Sequence, residues 1–434
     1  MQAVLLTSRV LRSMLGIEGK EERMNKKRIL HFSLIIIALL FYFIANFQRI
    51  AIPGAVFDIL EQELSVTAPY ITAFGAVFMY VYALTQLING VLIDRYGGLR
   101  VMCAGGLILT LGCLIFPLSR DLPLMYISRG LMGIGGSAFY LSLIKELRVL
   151  FSDKNFGIAL SVMLFIGYLG GIAANAPFVT AMKYMGWREI LLIIAIIMIV
   201  STIVFMIILP NVKPPKINNQ IKLRLLPFEL VIHKRHNRNL FSFACCNFGI
   251  FYVIQTVIGK KFLEDFCVIT PTKAAVILSV MAIVAAAFNI INAVVCKMCH
   301  NKRVRFLKGA SVITFLSLLT ICLMIIFDIK SMFIAFIFCI LAGNASLSSL
   351  LVPVLHMTNR KMLSTTAVSI MNFCFFMMVG ILGTLTGFLL KAFEPTRING
   401  VLVYGNNSYL LIFGVFLFIS LFEMYKAAKL SNEY

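Results

Sequence analysis

The stretch ILLIIAIIMIVSTIVFMIIL, residues 190–209, runs its whole length without a charge. At about 1.5 Å of helical rise per residue, such a run spans the roughly 30 Å hydrocarbon core of a bilayer. Comparable runs, LIIIALLFYFIA at 34–45 among them, recur from one end of the chain to the other. Inside lipid every backbone N–H and C=O must be satisfied by the protein itself, which leaves helices and closed barrels as spanning forms. A barrel strand alternates lipid-facing and lumen-facing residues, whereas these runs are continuous. The sequence therefore reads as an all-α polytopic membrane protein. Its composition agrees: 60% hydrophobic, 13% charged, with a mean hydropathy of +0.95, where soluble domains hold about a quarter charged residues.

The net charge of +21 does not call for a nucleic-acid partner, because basic residues gather in the short cytoplasmic loops of membrane proteins. The partner it implies is the lipid bilayer. Cysteines are scattered through apolar runs, as at Cys113, Cys322, Cys339 and Cys374, where they act as small hydrophobes rather than a disulfide framework. Near the N-terminus KEER precedes Met24, and MNKKRILHF then starts the first apolar run in the basic manner of a membrane helix. Lys-Glu-Glu-Arg before Met is what a translated purine-rich ribosome-binding site reads as in bacterial codons. Met24 is therefore expected to be the true start, with intact mass of the natively expressed protein as the check.

Charged and Pro/Gly breaks divide the apolar runs into twelve predicted helices. They fall at about 29–57, 68–92, 99–118, 123–148, 156–182, 188–209, 239–262, 272–296, 306–327, 332–356, 365–391 and 408–427. The one long polar interval, 210–238, is read as a linker with a short interfacial helix around 223–232. The domain plan is a cytoplasmic N-terminus at 1–28, a six-helix half at 29–209, the cytoplasmic linker at 210–238, a second half at 239–427 and a tail at 428–434. Lys and Arg concentrate on the side that contains the N-terminus, which makes both termini cytoplasmic. The first outside loop is acidic instead, with Asp58, Glu61 and Glu63. The expected location is the cell (inner, cytoplasmic) membrane.

The two halves look alike. NGVLIDRYGGLRV (89–101) and NAVVCKMCHNKRV (292–304) each lie between the second and third helix of their half. Asn89 aligns with Asn292, Val91 with Val294, Arg100 with Arg303 and Val101 with Val304, without a gap. Two parallel repeats joined by a basic linker describe an alternating-access transporter with its site at the midplane between them.

GVLIDRYGGLR resembles the G-x-L-x-D-R-x-G-x-x-R loop of the major facilitator superfamily, with Gly90, Asp94, Arg95, Gly97 and Arg100 in place. SRGLMGIGG (128–136) resembles the R-x-x-x-G pattern of its fourth helix, through Arg129 and Gly133, and GWR (186–188) the turn into its sixth. The likeness covers nearly the whole chain after Met24. It implies twelve transmembrane helices in two six-helix pseudo-repeats, and a loop in which Asp94 gates by charge-assisted hydrogen bonds that break when the halves rock. Gly90 is expected to permit close helix approach, and Gly97 and Gly98 a tight turn. GYLGGIAANAP (167–177) lacks the G-P-x-x-G-G core of the drug antiporters, which counts against drug/proton antiport.

By these boundaries only Arg49 and Arg129 carry charge well inside spans, and no Asp or Glu does. An arginine there should face a watery cavity or an anion. Arg49 is expected to anchor a carboxylate or phosphate, and Arg129 to support that anion or serve helix packing. FQRIAIPG (47–54) resembles the helix-one arginine of the organophosphate:phosphate antiporters and the anion:cation symporters. It departs from both, because helix seven has no second arginine, Gln48 stands where the symporters have Asp, and helix four has no acid before Glu146. Exchange or facilitated diffusion of an anion is therefore favoured over carboxylate-driven symport. Gln48, Tyr252 and Gln255 complete the expected substrate site, because helices one and seven usually line the pathway in this superfamily.

The predicted function is transport of a small organic, anionic solute by secondary active or facilitative alternating access, exchanged for or coupled to an ion, by a monomer. Dipeptides, siderophores and drugs are the alternative substrates, and a transporter-like receptor is the alternative role. No nucleophile–base pair or phosphate loop supports an enzyme, and Lys260 and Lys261 lie at an outer helix end with nothing to activate them. Cys296-Lys297-Met298-Cys299-His300 spells a c-type haem motif and half a zinc site. It falls in the cytoplasmic counterpart of the Asp94 loop, with only His233 and His236 nearby. It reads as a degenerate gate loop in which Lys297 replaces the acid, so no metal or other cofactor is expected.

Overall fold

A computed structural model describes residues 26–212, 226–298, 302–398 and 401–431. Met24, Cys299 and His300 lie outside these residues, and so do residues 223–225 of the predicted 223–232 helix, the rest of which falls in the helix Leu226–His233. Twelve helical stretches among the described residues are long and apolar enough to cross a bilayer. In chain order spans 1 to 6 are Ile29–Ala51, Ala68–Tyr96, Gly98–Leu118, Leu122–Leu150, Ile158–Ala181 and Trp187–Val212. Spans 7 to 12 are Arg235–Asp265, Pro271–Met298, Arg303–Ile326, Phe333–Thr358, Thr366–Leu390 and Asn406–Ala428. An even number returns the chain to the face it started from. That face is called terminal below, and the opposite one distal.

The belt of the molecule is apolar on its outside. Span 6 has a mean hydropathy of 3.3 and is mostly uncovered by the rest of the protein, and Ile193, Ile196, Val200, Ile203 and Ile207 point outward. A water-soluble protein rarely exposes so continuous an apolar surface, and lipid is the solvent that accepts it. The core between the helices is built of aromatic and aliphatic side chains, including Phe41, Phe74, Phe116 and Phe205 in the first half and Phe262, Phe338 and Phe413 in the second.

Several spans are interrupted. The first helix stops at Ala51, short of the predicted residue 57, and the chain continues as a 3-10 turn Gly54–Val56 and a short helix Phe57–Leu64. Pro53 explains the stop, because it has no N–H to continue the ladder. Span 7 carries a π-helical turn at Ile254–Ile258, and such turns cluster at functional places. Span 4 changes helix between Ser137 and Phe139, and span 10 between Ala345 and Ser348.

The aligned asparagines sit at these last two interruptions. Asn89 of span 2 donates to Ser137 Oγ at 2.8 Å, and Asn292 of span 8 donates to the Gly343 and Ser346 carbonyls at 3.2 and 3.0 Å. One polar side chain per half thus bonds at a break two helices further on, Asn89 to a serine hydroxyl and Asn292 to backbone carbonyls. A two-stranded antiparallel hairpin, β1 (Thr396–Ile398) and β2 (Val401–Val403), joins spans 11 and 12 on the distal face.

Candidate functional site

A cavity of about 200 Å³ lies between spans 1–6 and spans 7–12. Its walls carry hydroxyls and amides in place of charges: Tyr42, Tyr82, Tyr140 and Tyr168 from the first group, Tyr252, Gln255, Asn289 and Asn372 from the second. Arg49 is the one ionisable cation among the lining residues. Its Nη2 donates to Asn46 Oδ1 one turn back at 2.5 Å, while its Nε has no hydrogen-bond partner. No ion pair holds it among the described residues. Three aromatic rings surround the guanidinium instead, Tyr252 and Phe376 each at 5.3 Å and Tyr82 at 5.8 Å to the centroid. The ring faces are electron-rich and stabilise the cation in its dry setting, and the Tyr252 and Tyr82 hydroxyls lie close enough to interact with it. Its unpartnered Nε leaves a planar guanidinium edge, of the kind that pairs with an oxygen of a carboxylate, sulfonate or phosphate.

Arg129 has the opposite fate. It is fully buried and every donor nitrogen is used on backbone. Nε donates to the Phe74 carbonyl at 2.9 Å, Nη1 to Gln48 at 2.9 Å and Nη2 to Ile52 at 3.0 Å, and the Phe78 ring stacks over it at 4.8 Å. The carbonyls of Gln48 and Ile52 belong to the end of span 1, where the last helical acceptors lack partners and a positive charge is favoured. Arg129 therefore caps span 1 and ties it to span 2, and it presents nothing to the cavity. The expectation that it supports a bound anion is corrected to a packing role.

Gln48 is corrected likewise. It is fully buried and does not line the cavity, and its amide lies beside the Cys113 thiol. Being next to Arg49 on a helix turns it about 100° away. Tyr252 and Gln255 do line the cavity, Gln255 within the π turn. The structure thus brings together Arg49, Tyr252 and Gln255, and leaves Gln48 and Arg129 behind the wall. Tyr140 and Tyr168, like Asn46, Gln86, Asn289 and Asn372, stand out in the sequence as polar side chains within spans that could line a cavity, whereas Tyr42 and Tyr82 were not singled out from sequence. Only the inward pointing of Tyr42, Tyr82, Tyr140 and Tyr168 groups them, and spacing alone does not reveal it.

On the terminal face, Asp94 ends span 2 and pairs with Lys145 of span 4 at 3.0 Å, while the same ammonium donates to the Ile93 carbonyl at 3.0 Å. The pair is solvent-exposed and lies within one half. Gly97 turns the chain at φ 87°, a left-handed region open to glycine. Arg100 donates to the Tyr96 carbonyl at 3.1 Å, and Arg95 lies over the Tyr96 ring. A Cβ at Gly90 would meet nothing within 4 Å, so close helix approach is not the reason for that glycine.

On the distal face the acidic segment after span 1 meets the end of span 7. The buried Lys261 ammonium lies 2.7 Å from Asp58 and 3.0 Å from Asp265, and donates to the Leu402 carbonyl of β2 at 2.6 Å. Tyr404 donates through its hydroxyl to Glu61 at 2.6 Å and through its N–H to Asp265 at 3.0 Å, and Tyr409 donates to Asp265 at 2.7 Å. Burial pushes Glu61 up to about 7, helped by Asp58 and Asp265 and opposed by the Tyr404 hydroxyl and Lys261. Lys261, read from sequence as an idle cation, is the centre of this cluster. Glu63 is spent separately, accepting from Trp187 Nε1 at 3.1 Å and Arg188 at 2.9 Å. Backbone contact adds to the closure, since a Cβ at Gly54 would come within 2.6 Å of the Thr256 carbonyl.

The sequence profile of the Major Facilitator Superfamily matches residues 34–384. Two solved structures of a bacterial homologue of the human lysosomal transporter Spinster share the fold, both described as inward-facing, one unoccupied and one occupied. They superpose with TM-scores of 0.69 and 0.70, cover 93% and 94% of this chain and 98% of their own, and are 15% identical in sequence. The "Probable sulfoacetate transporter SauU" of Cupriavidus necator is 22% identical over 166 residues. That match spans 38% of this chain and 38% of the relative, well under half the length of either.

Proposed function

The chain belongs to the major facilitator superfamily, and from that premise we propose that it carries a small organic anion across a bacterial inner membrane by alternating access. The observation that carries this reading is Arg49, a guanidinium in the cavity between the two groups of six spans with no carboxylate to neutralise it among the described residues. A permanent counter-ion would make the site indifferent to anions. Its absence leaves the solute to supply the negative charge. The hydroxyls and amides around it offer hydrogen bonds to the remainder of a solute small enough for about 200 Å³. The likeness to a sulfoacetate transporter agrees with a solute bearing a carboxylate or sulfonate.

In this reading the terminal face is cytoplasmic, as the Lys/Arg bias requires, and the distal cluster around Lys261 is the outer gate in its closed state. The solute exchanges with the cytoplasm until the Asp58–Lys261 and Glu61–Tyr404 contacts part. The Asp94–Lys145 pair then belongs to the inner gate, which is held within one half while that side is open.

A thermal-shift screen of the purified protein against organic acids, sulfonates, sugar phosphates and dipeptides tests the assignment, because a ligand of the folded state raises its melting temperature. Organic anions should stabilise the wild type and fail to stabilise Arg49→Ala. Equal stabilisation of both proteins would refute Arg49 as the anchor.

A further inference from the structure

One acidic side chain has no place in the anion site. Glu423, a turn and a half from the terminal-face end of span 12, is fully buried. The sequence reading counted no carboxylate well inside a span; Glu423 lies near a span's end, and packing rather than depth buries it. Oε1 accepts from Asn247 Nδ2 of span 7 at 2.9 Å, and Oε2 has no partner. An ionised carboxylate in a dry interior with one neutral donor is heavily penalised, whereas the protonated acid needs far less.

The surroundings offer no compensating cation. Span 7 presents the Cys245 thiol as the titratable neighbour, and span 11 adds Cys374 beside that thiol. Span 9 presents the Thr314 hydroxyl. On span 12 itself Lys426 lies over the Phe422 and Tyr425 rings, and Lys429 bonds to Tyr425. Glu423 forms no ion pair among the described residues.

A hydrogen-bonded network joins this acid to the break in span 10, beside the cavity wall. Asn247 Nδ2 also donates to Thr314 Oγ1 at 2.9 Å, and Asn344 Nδ2 of span 10 donates to the same oxygen and to the Ala310 carbonyl, both at 2.7 Å. Asn344 sits at the break in span 10, and the next two residues, Ala345 and Ser346, line the cavity.

We propose that Glu423 is a proton-binding site coupled to the break in span 10. Its carboxylic acid gives up H⁺ to water admitted from the terminal face and becomes a carboxylate, and the reverse step reloads it. The carboxylate then needs a donor at Oε2. The Asn247 and Asn344 amides and the Thr314 hydroxyl are the donors the cluster holds, and turning any of them toward Oε2 breaks its present bond at Thr314 or Ala310. Deprotonation thereby favours a different geometry at Ala345–Ser346. This supplies the ion-coupling carboxylate whose absence from the sequence reading had favoured exchange or facilitated diffusion.

The proposal rests on the transporter reading for its purpose, but its test uses protons alone. The full-length protein in lipid vesicles is titrated from acid to alkaline pH by difference infrared spectroscopy, with spin-label distances between the terminal-face ends of spans 4 and 10 followed in parallel. Wild type should lose a buried carboxylic-acid C=O band as pH rises, with a matching change in distance. The comparison is made in a Glu61→Gln background, which removes the titration of the distal carboxyl; there Glu423→Gln, nearly isosteric with the protonated acid, should lower the band by one carboxyl and hold one distance at all pH values. Asn247→Ala, which removes the donor to Oε1, should move the midpoint to higher pH. A band of undiminished amplitude and a distance change that persist when Glu423→Gln is added to that background would overturn the proposal, as would a Glu423 that keeps one protonation state throughout. Either failure would leave the Arg49 reading standing, because the anion screen does not depend on Glu423.

Discussion

Two intramembrane arginines looked alike in sequence, and the difference between them is in where their donors go. Arg129 spends its guanidinium on three backbone carbonyls, and each such charge-assisted bond contributes about 1.5–3 kcal/mol. Arg129→Met should therefore cost several kcal/mol and lower the melting temperature sharply, read by thermal unfolding in detergent. Arg49 keeps most of its donors free, so Arg49→Ala should leave the melting temperature of the unliganded protein nearly unchanged while weakening anion binding by tenfold or more. Arg49→Lys retains the charge but loses the planar fork, and calorimetry should place its affinity between the two. Their membrane depth was legible from the sequence, because a charge inside an apolar run is conspicuous. Their roles were not, because a one-residue change of position swings a helical side chain by about 100°. The same geometry separates Arg49, in the cavity, from Gln48, behind the wall. Glu423 escaped notice for a related reason. Lying near a helix end, it read as a residue at the water boundary, and only the packing of spans 7, 9 and 12 buries it.

At the level of elements, the twelve spans followed from apolar run length, and most of their ends agree with the sequence to within a few residues. The interruptions inside them did not follow, and neither did the early stop of span 1 at Ala51, although Pro53 explains it. The π turn at Ile254–Ile258 carries no local signal, since it arises where span 7 meets the end of span 1. Its contact with Gly54 makes a specific demand. In Gly54→Ala the new Cβ would press on the Thr256 carbonyl, a backbone atom with little freedom to yield. That substitution should widen the distal face, seen as a longer spin-label distance between the Phe57–Leu64 helix and the β1–β2 hairpin. An unchanged distance would show that this contact does not help to hold the face closed. The alignment of Asn89 with Asn292 was legible as a repeat, and the breaks they serve in spans 4 and 10 give that repeat a physical purpose.

Across the whole molecule, closure of the distal face joins the acidic segment after span 1 to span 7 and the hairpin. Glu61 titrates at about 7 in this closed state, against an ordinary value of 4.5, so closure favours its protonated form. The advantage is fully present below 4.5 and is lost as pH rises to about 7, with a total of roughly 3 kcal/mol for a shift of this size. Raising the pH on the distal side should therefore shift the population toward the distal-open state, and Glu61→Gln should flatten that dependence. Both effects are readable as spin-label distances across the face. The central claim remains that the cavity's lone guanidinium binds the negative charge of the solute. Uptake of radiolabelled sulfoacetate and other small organic anions into proteoliposomes tests it most directly. The account predicts saturable uptake of at least one such anion by the wild type, and only background uptake by Arg49→Ala of equal melting temperature. Undiminished uptake by Arg49→Ala would contradict it.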